Sequence, residues 1–157
     1  MANWIWKAKT LPRIKTFLWK CAHESIGVKH CLVRRGVIED DLCPICRREP
    51  KTVLHALRDC SQPKAIWIQL GVKLTNQGFW LTNLQDWLNV NGKIRTSYVF
   101  GKPPWNVVYP FAVWNIWKSR NNVVFNWKNQ NPRLAADIVH QFMEFLYCVT
   151  SPKGPAQ

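Results

Sequence analysis

Cys43, Cys46, His55 and Cys60 form a Cys-x2-Cys-x8-His-x4-Cys array, and no other stretch of the chain concentrates as many soft metal ligands. Three thiolates and one imidazole complete a tetrahedron around Zn²⁺ and leave no vacant coordination position, which a structural site requires and a catalytic site avoids. The array therefore predicts a single structural zinc ion on these four residues, and function is to be sought around the metal. Other readings are four unrelated residues, or a disulfide between the first pair. A redox reading also exists, because Cys43-Pro44-Ile45-Cys46 has the Cys-Pro-x-Cys form in which a helix N-terminus lowers a thiol pKa. Pro50 argues against it, since it would break a long helix soon after Cys46, and no strand-helix-strand pattern precedes the motif.

The 157 residues, 47% of them hydrophobic, suffice for one ordinary core or two small lobes. A secreted disulfide framework would need a leader, and the opening Met1-Ala2-Asn3-Trp4-Ile5-Trp6-Lys7 has no long apolar stretch of that kind. The expected location is intracellular, in a reducing compartment. The most apolar run, 103–117, is interrupted by Asn106, Pro110 and Asn115 and falls short of the roughly 20 residues that cross a bilayer, so no membrane contact is expected.

A formal charge of +13 points to polyanions, because Lys and Arg that neutralise phosphates release condensed counterions. Its distribution is uneven. Residues 1–37 carry Lys7, Lys9, Arg13, Lys15, Lys20, Lys29, Arg34 and Arg35 against Glu24 alone, whereas 38–70 balance acid and base. Residues 71–157 again hold few acids, namely Asp86, Asp137 and Glu144. The metal array is thus locally neutral, with positive flanks. The bland alternative is a solvated surface that merely keeps the protein soluble.

Local signals predict helices. Thr10-Leu11-Pro12 opens one, with Ile14, Phe17, Leu18 and Cys21 at helical spacing and Trp19 beside the stripe. A second, short helix is expected over 29–35 with Gly36 as its C′ residue, making a helical hairpin. Thr52 can cap a short helix carrying His55 and ending at Cys60; Pro63 begins another through Trp67 and Leu70, stopped by Gly71. Between Thr75 and Lys102 the pattern weakens, although Leu84, Trp87 and Leu88 suggest a helix ending near Asn91-Gly92. Residues 110–126 read as helical and aromatic-rich, and Asn131-Pro132 starts a last helix with Leu134, Ile138, Phe142, Phe145 and Leu146 on one stripe. The fold class expected is mainly α: a small helical domain stapled by one structural zinc, followed by a helical C-terminal extension.

Ile5-Trp6-Lys7, Pro12-Arg13-Ile14-Lys15, Phe17-Leu18-Trp19, Leu32-Val33-Arg34-Arg35-Gly36, Cys43-Pro44-Ile45-Cys46, His55, Cys60 and Ile66-Trp67, taken in this order and spacing, resemble the zinc-binding region of plant LINE-type (non-LTR) retrotransposon reverse transcriptases. The resemblance covers roughly residues 4–70, and the later run from Val113 to Phe125 resembles the linker towards a ribonuclease H-like domain. It implies a zinc-binding module between polymerase and ribonuclease H that helps to handle nucleic acid. It also implies boundaries: a zinc-binding domain over 4–90, a linker over 91–104, a helical extension over 105–149 and a loose tail over 150–157. The chain departs from the family pattern at Lys51 and Leu54, where acidic residues are frequent, and at Gly27-Val28. No Tyr-x-Asp-Asp polymerase signature occurs, and no spread of carboxylates suited to a two-metal ribonuclease H site, so no enzyme is expected.

The remaining candidates weigh towards ordinary roles. Cys21, Cys31 and Cys148 are expected to be core or partly buried thiols, and His140 has no assigned role. Ten tryptophans invite base stacking, but Trp67, Trp87, Trp114 and Trp117 lie in apolar helical segments where core packing is commoner. Pro44 and Ile45 leave the knuckle without an aromatic to stack on a base. The leading expectation is a non-catalytic zinc module with non-specific RNA or DNA backbone binding through Arg13, Lys15, Lys20, Lys29, Arg34 and Arg35. Its other expected partners are reverse transcriptase or ribonuclease H-like domains, and no small-molecule substrate is expected. The alternative is a structural or protein-interaction module, or a truncated relic, without nucleic-acid binding of its own.

Overall fold

The computed structural model describes residues 3–26, 42–97, 102–126 and 128–150, and every regular element among them is helical. The expected helix over 29–35, the resemblance segment 32–36 and Gly27-Val28 lie outside the described residues. In chain order the helices are α1 (Trp4–Lys7), α2 (Pro12–Ala22), a π-helical turn (His55–Asp59), α3 (Ser61–Gln69), α4 (Gln77–Trp80), α5 (Leu84–Lys93), α6 (Trp105–Phe125) and α7 (Leu134–Thr150).

Each helix starts and stops where its residues dictate. Leu11 is extended and Pro12 occupies the first helical position of α2, where its missing N–H costs nothing. Ile14, Phe17, Leu18 and Cys21 then form the buried stripe. At the end of α3, Gly71 takes φ 109°, Val72 N–H reaches the Trp67 carbonyl (3.0 Å) and Gly71 N–H the Ile68 carbonyl (3.1 Å), a Schellman closure that a residue with a Cβ adopts only under strain. Asn76 caps α4 through the Phe79 N–H (3.1 Å), and Asn83 caps α5 through the Asp86 N–H (2.9 Å). The first of these short helices falls in the stretch where the periodicity weakens, and its single turn is too short to show a period. Helix α5 continues through Asn91 and Gly92 to Lys93, with Asn91 buried. Helix α7 runs to Thr150, and 151–157 lie outside the described residues.

One apolar core joins the zinc-ligand region to the C-terminal helices. Trp67, fully buried, lies at its centre, with ring centroids 5.2 Å from Phe79, 5.7 Å from Trp87, 5.9 Å from Trp105 and 5.6 Å from Tyr109. Two of the buried indoles bond their N–H groups within the core: Trp67 donates to the Leu57 carbonyl (2.7 Å) and Trp105 to Asn91 Oδ1 (2.9 Å). Helix α6 is apolar on all sides because it is enclosed, packing on α2, α5, α7 and the π-helical turn. A reciprocal amide pair, Asn115 with Gln141 (2.9 and 3.1 Å), fastens α7 to it.

Candidate metal centre

The first two ligands lie on a knuckle that the backbone closes locally. Cys43 N–H donates to the Glu49 carbonyl (2.9 Å), Arg47 N–H donates to the Cys43 carbonyl (2.8 Å), and Leu42 pairs with Pro50 in an isolated antiparallel bridge. Arg47 adopts φ 55°, the left-handed conformation that reverses the chain behind Cys46.

The second pair is delivered by the π-helical turn. Thr52 Oγ1 accepts the His55 N–H (3.1 Å), as the capping expectation required, and Cys60 N–H reaches back five residues to the His55 carbonyl (2.9 Å). Residues five apart on an α-helix differ by roughly 140° and point away from one another. The wider turn and the extended backbone of Cys60 bring its sulfur round to the same side as the imidazole.

The four ligand atoms lie within 4.8 Å of one another. Cys43 Sγ is 3.9 Å from Cys60 Sγ, and Cys46 Sγ is 3.3 Å from His55 Nε2. A tetrahedron with Zn–S near 2.3 Å and Zn–N near 2.0–2.1 Å has edges of about 3.5–3.8 Å, so the spacing fits one zinc ion. Cys43, Cys60 and His55 are buried and Cys46 is half-buried. These residues would hold zinc as a closed structural cross-link, and the bound ion would offer no open position for a substrate or water.

Arg120 completes the centre, although its place in the chain assigns it no role. It reaches from α6 to place Nη2 3.0 Å from Cys43 Sγ and is almost wholly buried. Its Nε and Nη1 have no hydrogen-bond partner among the described residues. Burial pushes the Cys43 thiol pKa up, but the backbone N–H groups of Cys46 and Ile45 and the Arg120 guanidinium outweigh it, bringing it down to about 5. Cys43 is therefore a thiolate at neutral pH, ready to bind metal. The only sequence signal for Arg120 is its position inside the largely apolar run from Val113 to Phe125, and spacing cannot show that it meets a cysteine 77 residues earlier. Lys51 is also buried, with Nζ 5.9 Å from the Trp117 ring centroid.

The other candidates are distributed as follows. Arg13 and Lys20 are exposed and line an open groove of about 350 Å³ together with Phe17, Trp114 and Trp117. Lys15 is half-buried and donates to the Trp6 carbonyl (3.1 Å). Lys29, Arg34 and Arg35 lie outside the described residues, as do Cys31 and His30. Trp67 and Trp87 are core residues as expected, whereas Trp114 and Trp117 are only half-buried because α6 turns that edge towards the groove. Cys21 is a core thiol whose pKa burial pushes far up. Cys148 corrects the expectation of a partly buried thiol: it is exposed, on the outer side of α7. Trp19 is exposed and stacks on His23 with centroids 4.0 Å apart, and His140 pairs with Glu144 (3.1 Å) on the surface.

Residues 1–67 match the family described as zinc-binding in reverse transcriptase. The chain is also similar to an Arabidopsis thaliana protein provisionally named a ribonuclease H protein, with 29% identity over 123 residues that cover 78% of this chain and 20% of the relative. The chain thus spans about a fifth of the length of that curated protein. No solved structure matches. The family match and the ligand geometry agree on a zinc-binding region, and among the described residues no helix is long and apolar enough to cross a membrane.

Proposed function

We propose that this chain is a non-catalytic, zinc-stapled module of plant LINE-type retroelement origin that assists nucleic-acid binding without sequence preference. The observation that carries this reading is the division of labour around the ligands: a closed four-ligand centre, and apart from it exposed cations at Arg13 and Lys20 that flank half-buried Trp114 and Trp117. The metal positions helices, and the cations meet phosphates. In this reading residues 4–90 form the zinc-binding domain, 91–104 the linker and 105–149 an extension that folds back onto it. Reverse transcriptase or ribonuclease H-like domains are its neighbours in a longer polypeptide, and a reducing compartment keeps its thiols available.

The zinc-loaded protein is expected to contain one zinc per chain and to bind labelled RNA or DNA oligonucleotides in anisotropy titrations, with affinity falling steeply as salt rises. Salt-insensitive binding, or none at low ionic strength, would overturn it. A second reading, a protein-interaction module, draws on exposed Met143, Tyr147 and Val149 along α7. It requires self-association or capture of a neighbouring domain, and a clean monomer in light scattering counts against it.

A further inference from the structure

A cleft of about 540 Å³ opens where the N-terminal turn meets the far end of α5. Lys7 and Lys9 line one wall and Lys93 and Arg95 the other. All four side chains are exposed, and among the described residues none has a carboxylate or hydrogen-bond partner. No acidic residue among those described lines the cleft. The cause is visible in the chain itself: there is no Asp or Glu before Glu24 and none between Asp86 and Asp137, the two stretches that supply the walls.

The walls are held in place by packing. Trp4 donates from Nε1 to Asn89 Oδ1 (2.8 Å), and its ring lies so close to Gly92 that a Cβ there would sit 2.3 Å from it. Gly92 thus lets α1 press directly onto α5. Across the cleft, Asn106 N–H bonds the Ile94 carbonyl (2.7 Å) and Trp105 N–H the Thr96 carbonyl (2.9 Å), tying the segment that carries Arg95 to the start of α6. Four like charges from segments more than eighty residues apart are therefore gathered without a counter-charge, which costs self-repulsion in the free protein and favours a polyanion in the cleft. Apolar groups at Ala8, Pro104 and Val107 give sugars and bases a surface alongside the charges.

We propose that this cleft binds the phosphodiester backbone of single-stranded nucleic acid, with Lys7, Lys9, Lys93 and Arg95 as its phosphate-binding groups. The proposal rests on the nucleic-acid reading above but places the main contact away from the Arg13 and Lys20 groove. The test uses the full-length zinc-loaded chain and a fluorescent single-stranded oligonucleotide, titrated between about 50 and 200 mM salt. Neutralising the cleft (Lys7→Gln, Lys9→Gln, Lys93→Gln and Arg95→Gln together) is expected to weaken binding at least about tenfold. It should also lower the slope of log affinity against log salt by about 0.7 for each phosphate that is no longer neutralised. Replacing the three lysines by arginine should retain both. Zinc content and circular dichroism confirm that the variants fold. If wild-type protein binds and the neutralised cleft leaves affinity and slope unchanged while Arg13→Gln with Lys20→Gln lowers them, the cleft is rejected and the nucleic-acid reading stands. If wild-type protein does not bind at low salt, both fail.

Discussion

Arg120 ties a cysteine ligand to a helix that follows it by 77 residues, so the metal centre and the core are one construction. With three thiolates and a neutral imidazole, bound Zn²⁺ carries one net negative charge, and the buried guanidinium at 3.0 Å balances it. Replacing Arg120 by Met removes that balance while filling a similar volume. Zinc binding is expected to weaken by about 10–100-fold, as for other partners of metal ligands, measured by competition with a chelating dye. The pH dependence follows in sign. The Cys43 pKa is about 5 in the folded chain against roughly 8.5 unfolded, so its thiolate contributes fully above the unfolded value and is lost as pH falls through about 5. Arg120→Met should raise the pH at which acid displaces zinc, and an unchanged midpoint would show that Arg120 acts only by packing.

At the scale of single elements, small polar and glycine residues decide where helices begin and end. Thr52 Oγ1 holds the start of the ligand-bearing turn through the His55 N–H, so Thr52→Ala should cost about 0.5–2 kcal/mol of unfolding free energy in urea titrations. Gly71, at φ 109°, closes α3 directly after Trp67 and Leu70 enter the core, and Gly71→Ala should destabilise by about 1 kcal/mol. A neutral outcome at both sites would mean that zinc and core packing alone hold this segment. Both signals are legible in the sequence, because capping and left-handed glycine are local. The π-helical turn is not, since an extra residue per turn leaves no periodic mark in five residues and is selected by convergence of His55 and Cys60 on one point.

Over the full chain, the segment that resembles a zinc-binding region does not contain its own core. Residues 1–67 carry the ligands, but the rings around Trp67 come from Phe79, Trp87, Trp105 and Tyr109, and the partner of Cys43 comes from α6. A fragment ending at residue 67 is therefore expected to lack cooperative thermal unfolding by circular dichroism even with zinc added, whereas the full chain should unfold in one transition. Cooperative unfolding of the fragment would show that zinc alone organises it.

The ligand set, most helix starts and stops, the helical class and the imbalance of charge can all be read from the order of residues, because each depends on residue chemistry or on neighbours within a turn or two. Folding in three dimensions adds the meeting of Arg120 with Cys43, the groove lined by Trp114 and Trp117, and the facing of Lys7 and Lys9 towards Lys93 and Arg95. Those juxtapositions join segments far apart in the chain, and they arise from the enclosure of α6 and the close approach of Trp4 to Gly92, which no local pattern encodes.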